Sequence, residues 1–229
     1  MFRLIRWGIR GLMLLVLLGL GFVVGAPLVL GAAGRYLIAD DPLAHAELVF
    51  PLSEDLLLTV PEASRLYHEG LAPRILLTRG PTEAGRADLL RRGIRVPDAY
   101  DTSLTILEGT RVPREAIQTV EEPANDLVAE AEVVARFLNE HPARTLIVVT
   151  PKRRSTRAMK AFRAALGPGI RLIMHPVPGD PFDPTTWWRD RKDRREVVSE
   201  FQALADFWLA DSWHRLAQKG RELIRFPRL

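Results

Sequence analysis

The sequence predicts an α/β domain, a mainly parallel β-sheet with helices on both faces, preceded by one transmembrane helix. Three observations carry this. Short apolar runs bounded by turn residues alternate with helix-like stretches from residue 46 to 209, the pattern of strand–helix–strand crossovers. The run Thr145–Thr150 (TLIVVT) is almost continuously apolar, as a parallel strand buried on both faces must be. Residues 11–33 contain no charge, and about twenty-three residues suffice to cross a hydrocarbon core of about 30 Å.

The apolar run has a direction. Arg3, Arg6 and Arg10 precede it, while Arg35, Asp40 and Asp41 follow. Positive charge stays cytoplasmic, so the N-terminus is expected inside and the remainder outside. Trp7 and Tyr36 fall near the two interfaces, where amphipathic rings are favoured. A cleaved signal peptide is the alternative, but the run exceeds a normal h-region and no clean small-x-small site follows it. The expected organisation is a cytoplasmic stub and anchor over 1–35, a globular domain over 40–211 and a tail over 212–229.

Residues 46–51 (AELVFP) read as a buried strand. Residues 61–69 (PEASRLYHE) read as a helix opened by proline and stopped at Gly70. Residues 74–78 (RILLT) form a second strand, and 82–92 a helix ending at Gly93. Residues 116–120 (AIQTV) are a third strand. Asn125 or Asp126 caps a helix to about His141, with Leu127, Ala131, Val134, Phe137 and Leu138 on its apolar face. After Thr145–Thr150 comes a helix over Ser155–Leu166 closed by Gly167, and then a strand over 171–175 (RLIMH). A proline-rich connector, 176–184, leads to a helix from about Arg194 to Leu209.

Composition narrows the chemistry. With no cysteine, disulfides, thiolate catalysis and thiolate–metal sites are excluded. The net charge of +4 is spread over the ends and one internal cluster, without the aromatic-laced basic stripe of a nucleic-acid binder. The five histidines show no metal-ligand spacing, and there is no HExxH, Walker loop, GxGxxG or GxSxG. No metal and no cofactor are expected.

In a parallel sheet, ligands bind beyond the carboxyl ends of the strands. One such loop stands out: Thr150, Pro151, Lys152, Arg153, Arg154, Ser155, Thr156 and Arg157 follow the strongest strand and open a helix. Cations there oppose the macrodipole, whereas the free N–H groups, hydroxyls and guanidiniums together suit a phosphate or carboxylate. A solvated charged face with Ser155 as a simple cap is the competing reading. On the anion-site reading, replacing Arg154 and Arg157 by alanine leaves thermal stability nearly unchanged. Arg79 and Gly80, after the second strand, belong to the same edge or form a plain turn. Glu130 is the leading catalytic carboxylate, an acid or base, a partner of the basic loop or else a helix-dipole partner, and Asn125 stands in the same stretch. Glu200 is either a site carboxylate or a salt-bridge residue. Trp187-Trp188 either stack on a ligand or pin the connector to the core.

The order of these motifs resembles a known family. It comprises an N-terminal anchor, the Gly70-Leu71-Ala72-Pro73 turn, RILLT with Thr78-Arg79-Gly80, and Arg111-Val112-Pro113-Arg114-Glu115-Ala116-Ile117. Residues 125–130, VVT-x(6)-RA over 148–158, Trp187-Trp188 and Glu200 complete it. Over about residues 45–210 the chain resembles the SanA/ElyC/YdcF-like family of bacterial envelope proteins. The resemblance implies a Rossmann-like domain and a role in cell-envelope maintenance, including peptidoglycan-precursor or lipid-carrier metabolism. The implied partners are the cytoplasmic membrane, a phosphorylated or lipid-linked precursor and envelope-biogenesis proteins. The chain departs from the family pattern in three places. Residues 50–54 (FPLSE) lack the glycine-rich turn, Thr78-Arg79-Gly80 replaces a serine-glycine-glycine, and Arg154 stands where a histidine is usual. The lost glycines remove close backbone approach to a phosphate, and the lost histidine removes a proton-transfer group. Two readings follow: an envelope protein handling a phosphorylated lipid-linked intermediate, or a non-catalytic binding or scaffolding protein that kept the fold.

In the tail, Trp213, Leu216, Ala217, Leu223 and Ile224 recur at roughly helical spacing. Arg215, Lys219, Arg221, Arg225 and Arg228 supply charge, and Gly220 interrupts. A basic amphipathic helix on an anionic membrane is one reading, packing on the domain the other.

Overall fold

The computed structural model describes residues 13, 23, 25–80 and 85–223, with side chains through 207 apart from Ala87. Most of the expected span over 11–33 lies outside the described residues, as do residues 224–229 and the tail's side chains. Among the described residues no helix is long and apolar enough to cross a membrane.

Five strands, β1 (Leu48–Pro51), β2 (Ile75–Thr78), β3 (Ile117–Val120), β4 (Thr145–Thr150) and β5 (Arg171–Pro176), form one parallel sheet in the order β3-β2-β1-β4-β5. The helices are α1, described over 25–36, α2 (Leu56–His68), α3 (Arg86–Arg91), α4 (Ala99–Gly109), α5 (Leu127–Glu140), α6 (Ser155–Leu166) and α7 (Arg191–Leu223). The α/β fold with a parallel sheet is thus as the alternating sequence pattern predicts.

Side-chain alternation along each strand splits the interior in two. Val49, Ile75, Leu77, Ile147 and Val149 face α2 and α4, meeting Val60, Ala63, Leu66 and Leu107. Leu48, Phe50, Leu76, Leu146 and Val148 face α5 and α6, meeting Ala131, Val134, Leu138 and Phe162. Central strands sandwiched between two helical layers need both faces apolar, which explains TLIVVT. Fully burying a Leu, Val or Phe contributes about 1.5–3 kcal/mol, so these layers dominate the stability.

A smaller third cluster joins Leu37, Phe182, Trp187, Val197 and Leu204, with Leu30, Ala33 and Ile38 packed against it. It ties the end of α1 to the connector after β5 and to α7. Gly34 allows this approach: a Cβ there would come closer than 3.0 Å to Pro184 O, Pro184 Cα and Trp187 Cδ1.

Three elements differ from the sequence expectation. Helix α2 begins at Leu56 rather than at Pro61, which lies inside it. Asp55 supplies the turn with φ 54°, its carbonyl accepting from Leu58 and Thr59 N–H, and Thr59 Oγ1 donates to Leu52 O. Pro61 withholds only the bond to the carbonyl of Leu57, four residues back on an exposed turn. Helix α4 was not expected at all, and α7 is longer at both ends, running through Gly220.

Candidate functional site

Strand order reverses between β1 and β4, so the loops after these strands flank the switch point where parallel sheets bind ligands. Residues 52–55 follow β1 and residues 151–154 follow β4. The first three turns of α7 lie beside them, as the ion pairs of Glu196 and Glu200 show.

Every cation expected in the β4 loop is engaged by the protein itself. Lys152 Nζ donates to Asp180 O and its N–H to Asp180 Oδ2, both at 2.8 Å. Arg153 pairs with Asp55 at 3.2 Å and Glu196 at 2.8 Å. Arg154 pairs with Glu54 and, at 3.4 Å, with Glu200. Arg157 Nε and Nη2 grip the two Glu200 oxygens at 2.7 and 3.1 Å. Burial lowers the pKa of Arg154 from its ordinary value, with Glu200 acting against that shift. Glu200 is buried, so the paired charges are held away from bulk water.

The hydroxyls of the loop also have internal work. Thr150 Oγ1 donates to Pro151 O. Ser155 Oγ accepts from Ala39 N–H at 2.7 Å and shares its one hydrogen between Lys152 O and Leu37 O, at 2.8 and 3.2 Å. Thr156 donates through its N–H to Leu37 O and through Oγ1 to Tyr36 O. The start of α6 therefore clasps residues 36–39, the segment leaving α1.

Glu130 sits apart from these pairs. Its Oε1 accepts from Thr78 Oγ1 at 2.8 Å and Ser53 N–H at 3.1 Å, linking the ends of β1 and β2 to the first turn of α5. It is 2% exposed, and burial pushes its carboxyl up to about 7, against the lowering effect of hydrogen bonds from Thr78 and Ser53. A carboxylic acid poised near neutrality suits proton transfer. Glu200 thus meets Arg154 directly, whereas the hydrogen bonds of Glu130 come from Thr78 and Ser53.

Arg79 makes two bonds to Glu121, at 2.6 and 2.8 Å, and its guanidinium lies 4.3 Å from the centre of the Tyr100 ring. Gly80 adopts φ +67°, and a Cβ there would come 3.0 Å from Ala99 Cβ, so the turn requires glycine. Asn125 is exposed beside Asp126, whose side chain caps α5 through Ala129 N–H. Trp187 Nε1 donates to Leu30 O at 2.9 Å, so this ring pins α1 to the connector.

Sequence reasoning found the cations and missed most of their partners. Glu54 and Asp55 follow a strand at the same edge, a placement that could have flagged them. Glu196 lies four residues before Glu200 and so on the same helical face. Among the described residues no three metal-ligating side chains gather. No protein-family model matches the chain, and no curated protein matches it.

Proposed function

We propose that this is a membrane-anchored protein of the cell envelope, with the Rossmann-like domain on the outer side of the cytoplasmic membrane. At the carboxyl edge of its sheet it binds a phosphorylated, lipid-linked cell-wall intermediate. The observation that carries the reading is the meeting of Lys152, Arg153, Arg154 and Arg157 with the switch point. The motif order shared with the SanA/ElyC/YdcF-like family supports it, and residues 11–33 supply the anchor. Arg79 is the cation most readily lent to an incoming phosphate, since its partner Glu121 is largely exposed.

One observation favours a second reading, a non-catalytic binding or scaffolding protein. The arginines of the loop are already neutralised by Glu54, Asp55, Glu196 and Glu200. Arg154 also stands where the family resemblance expects a histidine.

Thermal denaturation with a polyprenyl phosphate, the matching polyprenol and inorganic phosphate separates these readings. Ligand at about 100 times its Kd stabilises by about 2.7 kcal/mol, a midpoint rise of several degrees for a domain of this size. The polyprenyl phosphate is expected to give that rise, the polyprenol none, and Arg79→Ala a reduced one. No response to the polyprenyl phosphate would leave the scaffolding reading.

A further inference from the structure

We infer that the carboxyl edge of the sheet, with its rim of bare apolar side chains, lies against the surface of an anionic bilayer. The inference rests on the proposed anchor and adds the face that the domain turns to the lipid.

The chain path fixes where α1 departs. Leu37 O is bonded to the first turn of α6, above the carboxyl end of β4. Leu30 and Gly34 rest on Trp187 and Pro184, in the connector that follows the carboxyl end of β5. From Leu37 onward the chain descends along β5, where Asp41 exchanges two bonds with Met174. It reaches the amino edge at Glu47, whose N–H bonds Thr145 at the start of β4. Helix α1 therefore leaves the domain at the carboxyl edge.

The spacing leaves little room between that edge and lipid. Leu28 and Val29 are 66% and 69% exposed, whereas Leu30, Ala33 and Gly34 pack on protein. About nineteen uncharged residues precede Leu30 from Gly11, close to the number needed to cross a hydrocarbon core. From Val29 to Gly34 the helix rises only about 8 Å. The edge then stands within the headgroup layer.

The side chains at this edge suit such a surface. Leu57 in the first turn of α2 is 76% exposed, and Val128 in the first turn of α5 is 47% exposed. Leu90 on α3 and Ile94 just after it are half exposed. Helix α3 is held at this edge by Arg86, which pairs with Asp98 and Asp101 at the start of α4. Nearby, Arg191, Lys192, Arg194 and Arg195 stand exposed in the first turns of α7, next to Glu196 and its Arg153 pair. Apolar side chains dip into the headgroup layer while cations meet anionic lipid. Cations at a helix N-terminus are unfavourable within the fold, and an anionic surface offsets that cost.

The chain has no cysteine, so single labels can be placed at will. The full chain, reconstituted in vesicles of phosphatidylethanolamine and phosphatidylglycerol, would carry a fluorophore at Leu57→Cys, Ile94→Cys or Val128→Cys. Glu140→Cys and Arg171→Cys report the opposite edge, at the end of α5 and the start of β5. Headgroup-attached nitroxide is expected to quench each of the first three at least twofold more than either of the last two. Equal or reversed quenching in protein that floats with the vesicles overturns the inference and leaves the anchor standing. Failure to float with the vesicles overturns both.

Discussion

Burying Glu130 at the ends of β1 and β2 raises its carboxyl to about 7, because desolvating the charged form outweighs the hydrogen bonds from Thr78 and Ser53. A folded pKa raised above the ordinary 4.5 contributes stability that is full below about pH 4.5 and lost as pH rises through about 7. The shift corresponds to about 3 kcal/mol. Glu130→Gln keeps an acceptor for both donors and removes the titration. Urea denaturation at pH 5 and pH 8 is expected to show the wild type losing about 2 kcal/mol more than the variant over this range, since part of the loss is already complete at pH 5. Parallel pH profiles would show that Glu130 does not titrate there. Glu200 is held by ion pairs instead. The sequence alone predicts that Arg154 and Arg157 can be replaced with stability nearly unchanged, but Glu200 is buried between them. Removing both arginines strands that carboxylate, and breaking a buried pair costs on the order of 3 kcal/mol.

Among the elements, α1 changes most in meaning between sequence and structure. Its last two turns are part of the domain, sealed by Trp187 and clasped by Ser155 and Thr156. Cutting the chain at residue 35 would strip Leu30, Ala33 and Gly34 from the third cluster. Gly34→Ala forces a Cβ into Pro184 and Trp187, and overpacking of this kind costs about 1–3 kcal/mol. The measurement is amide exchange at Thr156, whose N–H bonds Leu37 O. Faster exchange in the variant is expected; an unchanged rate would mean that α1 is not held through this glycine. Helix α4 shows why an element can be invisible in sequence. Asp101, Thr102, Ser103 and Thr105 dilute its apolar face, leaving Tyr100 and Leu107 as the buried anchors. The legible signal was the cap: Asp98 and Asp101 form a reciprocal capping box.

At the scale of the whole molecule, the sheet was legible because its central strands are apolar runs punctuated by Gly, Pro or charge, with the half-polar β3 at one edge. Thr145–Thr150 and Ser155–Leu166 have the boundaries that their flanking residues indicate. The candidate site was only half legible. Its cations are contiguous, whereas the carboxylates that meet them come from Glu54 and Asp55 on one side and Glu196 and Glu200 on the other. Only folding brings those two stretches to one edge, so no local pattern records their meeting. A domain outside the cytoplasmic membrane, with Arg3, Arg6 and Arg10 inside, underlies both the proposed ligand and the proposed bilayer contact. The direct test fuses a reporter after Leu229, using in parallel a phosphatase active only in the periplasm and a reporter active only in the cytoplasm. The expected result is an active phosphatase and a silent cytoplasmic reporter; an active cytoplasmic reporter with a silent phosphatase would contradict it.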